Sequence, residues 1–499
     1  MPSRAASMPA DAADQRLRAH VHPPDWINPE PRDRYHLVVV GGGTAGLVSA
    51  MGAAGLGARV ALVERDLLGG DCLVTGCVPS KAVLRSARAA AEARQAQAVG
   101  VRVSGIDADF AAVMRRMRER RADISPHDSA ARLRAAGVDV YFGEARFASA
   151  SSVEVGGRTL RFKRAVIATG GRPARPPIPG LSETPYLTSE TVFALDLLPP
   201  RLAVIGAGPI GCELAQALAR LGAAVTMIDQ ARQVLPQEDA DAAAVVAGRL
   251  EAEGVRLELG AGIAGVRREG ERVALRLERK EAEVVCDQLL VATGRTPNLE
   301  PLDLAAAGIA ADKDGVTVDD HLRTTNPRVF AAGDVCSRFK FTHAADAMAR
   351  IVIQNALFFG RARASALVIP WCTYTDPEVA HVGWYAGDAR MRGHQVDTVT
   401  VRLDEVDRAV VDEERDGFVR LHHERGRLLG CTVVAARAGE MIALPAYALR
   451  RRATLDDLGA TITPYPTVSN AFRAAADAHR RTRLTPRVRA WLARYFRLM

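Results

Sequence analysis

Cys72 and Cys77 are separated by four residues in the stretch Gly69-Gly70-Asp71-Cys72-Leu73-Val74-Thr75-Gly76-Cys77-Val78-Pro79-Ser80-Lys81. An alanine-rich run from Lys81 to Gln97 follows, and its composition and spacing predict a helix. Both thiols therefore fall at or just before a helix N-terminus, where unpaired N–H groups and the helix dipole favour negative charge. A thiolate is stabilised there and its pKa falls, which is the setting of a reactive cysteine. A zinc site would need four ligands, and no second Cys or His cluster at ligand spacing occurs in the 499 residues. The pair is read as redox or nucleophilic sulfur rather than as a metal site or inert core.

The elements around the pair are nucleotide-binding in pattern. His36 to Val40 is an apolar β-type run, followed by Gly41-Gly42-Gly43-Thr44-Ala45-Gly46 and a small-residue helix. Gly41 allows the tight turn, Gly43 lets backbone approach a pyrophosphate, and Gly46 lets helix pack on strand. The diphosphate then rests on the helix N-terminus. A second strand, Arg59 to Val63, ends in Glu64, near the spacing expected of an acid that accepts ribose hydroxyls. The same order returns with Leu202 to Ile205, Gly206-Ala207-Gly208-Pro209-Ile210-Gly211, a helix through Leu221, a strand through Ile228, and Asp229. Two such units imply two dinucleotides. Asp229 would accept from a ribose 2'-hydroxyl and repel a 2'-phosphate, which leans the second unit toward NADH over NADPH; Arg232 nearby softens that lean.

Between and after these units the chain is punctuated by turns. Residues 82 to 136 read as Arg- and Ala-rich helices with solvated faces. Val138 to Ile167 alternates as a meander with a Gly156-Gly157 turn and ends in Ala168-Thr169-Gly170-Gly171. A proline-rich linker runs to Pro200. After the second unit comes a meander with a turn at Glu269-Gly270-Glu271, ending in Ala292-Thr293-Gly294-Arg295, and later Val329-Phe330-Ala331-Ala332-Gly333-Asp334. From about Ile369 alternation resumes, with helices predicted after Ala438 and Leu455.

Composition narrows the class. With 499 residues and 48% hydrophobic content the chain should form about three domains with real cores. Seven cysteines, five of them scattered singly, do not make a secreted disulfide scaffold and point to reduced cytoplasmic thiols. A net charge of +8 from 66 basic and 58 acidic residues, without an aromatic-interleaved basic patch, does not suggest nucleic acid. The uncharged run Leu37 to Ala58 is long enough for a membrane span, but its seven glycines fit the phosphate loop instead. Residues 1–33 are polar and read as a flexible N-terminal arm, neither signal peptide nor span.

Taken in order, these motifs resemble the FAD-dependent pyridine nucleotide-disulfide oxidoreductases, the family of dihydrolipoamide dehydrogenase, glutathione reductase and mercuric reductase. The similarity covers roughly residues 34 to 480. It implies an α/β fold with two Rossmann-like dinucleotide-binding domains, for FAD and NAD(P), and a C-terminal α+β dimerisation domain. The expected segments are 34–199 and 299–366 for FAD, 200–298 for NADH or NADPH, 367–479 for the homodimer interface, and 480–499 as a basic tail. The resemblance also implies that the reductant's electrons reach a Cys72–Cys77 disulfide, with Cys77 facing the flavin and Cys72 as the interchange thiol. It sets Lys81 beside the flavin, paired with Glu213. It assigns Asp334 to the ribityl hydroxyls and backbone near Thr342 to the flavin ring. It further implies that backbone near Ala145 lies against the adenine and that Thr169-Gly170 and Gly294 close the two nucleotide passes.

One departure bears on the acceptor. Disulfide reductases of this family carry a His-Pro at the interface, with a glutamate five residues after the histidine, as general acid for the departing thiol. The matching stretch is Pro464-Tyr465-Pro466-Thr467-Val468-Ser469-Asn470, with Tyr465 for histidine and Asn470 for glutamate. A phenol with pKa near 10 is a poor proton shuttle, and losing such a group typically costs about 10²- to 10⁴-fold. Tyrosine here is the mercuric-reductase pattern, and a soft ion such as Hg(II), held transiently by Cys72 and Cys77, needs no acid for a departing thiol. Against that, no metal-capturing Cys-x-x-Cys precedes Gly41 and no cysteine follows Cys431. The alternatives are a slow disulfide reductase or dihydrolipoamide-dehydrogenase-like enzyme, or a redox sensor with little turnover. In the tail, Val488, Trp491, Leu492, Tyr495 and Met499 fall on one helical face while Arg487, Arg489, Arg494 and Arg497 add charge, a pattern that suits either peripheral contact with the inner membrane face or packing on its own dimer.

Overall fold

The computed structural model describes residues 11–278 and 283–499. The expected N-terminal arm is in part corrected: residues 1–10 lie outside the described residues, but Ala12–Val21 forms helix α1. Asp11 caps it by accepting the Asp14 N–H at 2.8 Å. Leu17 and Val21, one turn apart, are fully buried in the same core as Leu68, Leu73 and Val74. The polar composition misleads because its charges are paired in the fold, Asp14 with Arg121 at 2.6 Å and Arg32 with Asp139 at 2.7 Å.

A seven-stranded sheet organises the first half. Strand β1 (Tyr35–Val40) leads through helix α2 (Thr44–Gly55) to β2 (Val60–Glu64), and both strands are nearly all buried, as strands covered on two faces must be. Helices α3 (Gly70–Val74), α4 (Cys77–Gln95), α5 (Phe110–Ile124) and α6 (Ala130–Ala135) precede β3 (Val138–Phe142). Arg118 and Arg121 of α5 are buried, so the Arg-rich helices are not wholly solvated. The meander β4 (Ala145–Ser149), β5 (Ser152–Val155) and β6 (Arg158–Ile167) completes the sheet, in the order β3-β2-β1-β6-β5-β4, with Val329–Ala331 also paired to β6. Strand β6 pairs with three strands. Its first half alternates buried and exposed against antiparallel β5, and its last residues, Ala165 to Ile167, are buried between parallel neighbours. The exposed edge at β3 is capped by the segment after α1. Trp26 Nε1 donates to Val140 O at 3.2 Å, and Asn28 both donates to Phe142 O and accepts its N–H.

After the short strand β7 (Gly171–Pro173), the second dinucleotide unit runs from β8 (Arg201–Ile205) through α7 (Pro209–Arg220) to β9 (Ala224–Asp229). Its parallel four-stranded sheet has Arg256–Leu259 on one side and Gln288–Val291 on the other. A three-stranded antiparallel meander with its turn at Gly270 is attached.

The chain divides into two compact units that differ from a simple succession of segments. One takes the chain to Gln230 and again from Gly254 to Leu367; the other joins Ala231–Glu253 to Val368–Met499. The second holds a five-stranded antiparallel sheet in the order Trp371–Thr373, Glu378–Gly383, Arg427–Ala435, Phe418–Glu424, Asp397–Arg402. Its core includes Leu455, Leu458, Phe472 and Ala475 from the following helices. Glu238 is bound into this unit by Trp371 Nε1 at 2.8 Å and Tyr385 OH at 2.5 Å. No helix among the described residues is long and apolar enough to cross a membrane.

Candidate active site

The two dinucleotide turns are built to nearly the same dimensions. Gly41 and Gly206 have φ of +107° and +108°. A Cβ on Gly46 would come 1.8 Å from Gly41 O, and one on Gly211 would come 1.9 Å from Gly206 O, so only glycine lets each helix seat on its strand. The helix N-caps, Gly43 and Gly208, make no side-chain cap bond. The first-turn N–H groups are thereby left for an anion. The acids repeat as well: Glu64 Oε2 accepts the Gly42 N–H at 2.5 Å, and Asp229 Oδ2 accepts the Ala207 N–H at 2.6 Å. Uncapped helix starts, glycine cradles and an acid closing the second strand fit one dinucleotide at each turn.

The sulfur pair rests on the first of these turns. A Cβ on Gly70 would lie 2.7 Å from Gly43 Cα, so only a glycine lets the segment come so close. Cys72 lies in the short helix α3, while Cys77 is the first residue of α4, whose N-cap Gly76 leaves the helix start uncapped by any side chain. Both are free thiols. Cys77 Sγ stands 3.4 Å from Thr342 Oγ1, the residue that opens helix Thr342–Leu357. A hydrogen bond from the Cys72 thiol, helped by Thr342 and the charge of Lys81, holds Cys77 down to about 6 against burial and Glu213. Cys72 shifts upward, because it keeps the proton it shares with Cys77 and is partly buried. The arrangement is one thiolate with an attached thiol, which is what directed sulfur chemistry needs.

Lys81 Nζ reaches Glu213 Oε2 at 2.8 Å, bringing together two predicted residues from α4 and α7. A further cluster was not predicted as a unit. Arg295 bonds Asp71, beside Cys72, and also Asp334 Oδ2 at 3.2 Å and Gly171 O at 2.8 Å. Burial pushes the Asp334 carboxyl up, and Arg295 opposes it. These residues are 224 and 39 positions apart, so no local spacing announces them; the unexplained Arg after Ala-Thr-Gly was the available signal. Thr169 Oγ1 donates to Asn298 O at 2.8 Å, joining the ends of the two passes. Gly170 and Gly294 take positive φ at those ends. Ala145 is buried at the start of β4.

Tyr465 belongs to the second compact unit. It is 74% exposed, and its hydroxyl donates to Asp407 Oδ2 at 2.9 Å. That bond to a carboxylate pushes the phenol further up. The Asn470 amide is engaged with Thr463 Oγ1 at 2.8 Å and with the Thr467 N–H at 2.9 Å, so it orients its own loop.

Residues 35–349 match the family described as pyridine nucleotide-disulphide oxidoreductase, and residues 369–476 match its dimerisation domain. A mercuric reductase of Acidithiobacillus ferrooxidans is 37% identical over 461 residues, covering 89% of this chain and 83% of that protein. A dihydrolipoyl dehydrogenase of Haloferax volcanii is 33% identical, covering 88% of this chain and 95% of the other. Among solved structures, the Cu(II) complex of the HOCl-induced flavoprotein disulfide reductase RclA from Escherichia coli superposes with a TM-score of 0.80 at 28% identity, covering 90% of this chain and 100% of that one.

Proposed function

The chain belongs to the pyridine nucleotide-disulphide oxidoreductase family, and from that premise we propose that it delivers electrons from NAD(P)H to Cys72 and Cys77 and on to a thiophilic metal ion. It is an FAD-containing, NAD(P)H-dependent disulfide oxidoreductase and a homodimer of the mercuric-reductase-like branch. Bound FAD supplies the two-electron relay between the nicotinamide and the sulfur pair. The protein's part is to place and poise the sulfurs. Cys77 is the thiolate, Cys72 the thiol that meets the acceptor, and Lys81 a fixed cation held by Glu213 that favours the Cys77 thiolate. Glu64 and Asp229 orient the two riboses. Asp334, steadied by Arg295, would hold the ribityl chain, and backbone near Thr342 and Ala145 would hold the flavin and the adenine.

The observation that carries the metal reading is Tyr465. Bound to Asp407 and raised in pKa, it is a poor proton donor for the departing thiol of a disulfide substrate. A thiolate and a neighbouring thiol that gives up its proton to water on binding can take a soft ion without such a donor. Mercury is the ion named for the bacterial relatives, and copper the one bound to RclA. The test is an anaerobic acceptor screen with Hg(II), Cu(II), glutathione disulfide and a quinone, run on the native protein and on Cys72→Ser. Metal reduction that requires Cys72, with slow disulfide turnover, is expected. Rapid glutathione-disulfide turnover by the native protein would overturn the reading.

The cytoplasmic enzyme also contacts the inner membrane face through its tail. Helix Pro486–Phe496 leaves Trp491, Tyr495 and Phe496 exposed, and no acidic residue follows Asp477. Basic amphipathic helices bind anionic lipid surfaces. Co-sedimentation with anionic but not neutral vesicles, lost on removal of residues 480–499, is expected; equal binding without the tail would exclude it.

A further inference from the structure

Helix α3 carries Cys72 but is only five residues long. A helix so short cannot hold itself in place, because nucleation is unfavourable and its last carbonyls have no partner within it. The carbonyl of Val74, its final residue, is gripped from outside. Arg121 Nη1 donates to Val74 O at 2.7 Å, and Arg121 Nη2 donates to Asp14 Oδ1 at 2.6 Å. The two side chains are 2% and 0% exposed. Asp14 comes from α1, which lies before the 35–349 family match. The same helix touches the redox segment again where the Leu68 N–H donates to Val21 O at 3.2 Å.

A buried charge pair is an expensive way to tie down one carbonyl, since hydrophobic residues of similar volume usually stabilise as well or better. What the pair adds is direction. The guanidinium fork fixes Val74 O and Asp14 at set angles, and Val74 lies two residues after Cys72. Only Thr75 and Gly76 separate it from Cys77. We propose that Asp14, acting through Arg121 and the Val74 carbonyl, sets the effective concentration of the Cys72 sulfur at Cys77, so that α1 is a positioning strut for the redox pair. Asp14 and Arg121 are positioning residues; neither touches the sulfurs. The inference rests on the reading of Cys72 and Cys77 as the redox pair.

The measurement is thiol–disulfide equilibration of the FAD-loaded protein in glutathione buffers. Cys72 and Cys77 together lose two electrons and two protons and form one S–S bond, while one glutathione disulfide becomes two glutathiones. The equilibrium constant is the effective concentration of one protein thiol at the other. Asp14→Asn and Arg121→Lys should each lower it by roughly tenfold while FAD occupancy stays full, because a loosened segment dilutes the thiol about its partner. Arg121→Lys keeps the buried charge pair and loses the fork, so it carries the test if Asp14→Asn does not accumulate. Arg32→Gln, which cuts the Arg32–Asp139 pair in the same N-terminal segment away from α3, should leave the constant unchanged. A constant equal to wild type in Asp14→Asn and Arg121→Lys, with only a lower Tm, would overturn the strut and leave the redox reading standing. A wild-type protein that forms no disulfide in any buffer would overturn both.

Discussion

Lys81 Nζ donates to Glu213 Oε2 at 2.8 Å, tying the helix that begins at Cys77 to the helix that begins at the second glycine turn. Glu213 is nearly buried and Lys81 about one-third exposed. Lys81 pulls the Cys77 thiol down in pKa and Glu213 pushes it up. Lys81→Met therefore removes the favourable cation and leaves the carboxylate beside the sulfur. A rise of about one pKa unit should slow alkylation of Cys77 by roughly tenfold near pH 5, and by only about twofold at neutral pH. Glu213→Gln should not slow it. Iodoacetamide labelling of the reduced protein followed by peptide mass spectrometry reads both.

The pair should titrate asymmetrically. With Cys77 held down to about 6, its thiolate fraction is nearly complete at neutral pH and falls as pH drops through that value. Cys72, shifted the other way, stays protonated across the same range. Labelling from about pH 5 to about pH 8 should thus modify Cys77 first, with a single inflection near 6. Equal labelling of both cysteines at neutral pH would show that the shared hydrogen bond is absent.

The glycine turns should fail separately. A Cβ on Gly46 meets Gly41 O at 1.8 Å, and a Cβ on Gly211 meets Gly206 O at 1.9 Å. Such overpacking usually costs about 1–3 kcal/mol and shifts the helix N-terminus away from its ligand. Gly46→Ala should be purified largely without flavin. Gly211→Ala should keep flavin and show a KM for NADH raised by at least about tenfold, measured by flavin absorbance and steady-state kinetics.

Tyr465 should limit disulfide turnover. Tyr465→His supplies a group that titrates near neutrality, and glutathione-disulfide reduction should rise by about 10²-fold or more, with metal reduction little changed. No gain would mean that the barrier lies elsewhere in the acceptor site.

Much of this was legible in the sequence for a physical reason. The glycine turns and the Cys72–Cys77 helix start are local devices whose chemistry is fixed by residues within one or two turns of each other. Strand β6 was legible as the end of an alternating meander, but its continuous buried end, Ala165 to Ile167, follows from pairing with two parallel neighbours. The strut was not. Asp14 and Arg121 look like surface charges, and only their meeting across 107 positions makes them core residues. A weak local signal existed in Ala13, Leu17 and Val21, spaced four apart behind the cap Asp11. The Asp71–Arg295–Asp334 cluster was invisible for the same reason of distance. Ala231–Glu253 joins the second compact unit through distant partners, Glu238 with Trp371 and Tyr385, Asp239 with Arg420 and Arg249 with Asp416, which no periodicity encodes.

Thiol counting during anaerobic NADH titration tests the central claim most directly. The chain has seven cysteines, and the oxidised protein should show five reactive thiols under denaturing conditions. After NADH it should show seven, with the two new ones at Cys72 and Cys77. A count that does not change on reduction, or new thiols appearing at any other positions, would contradict the account.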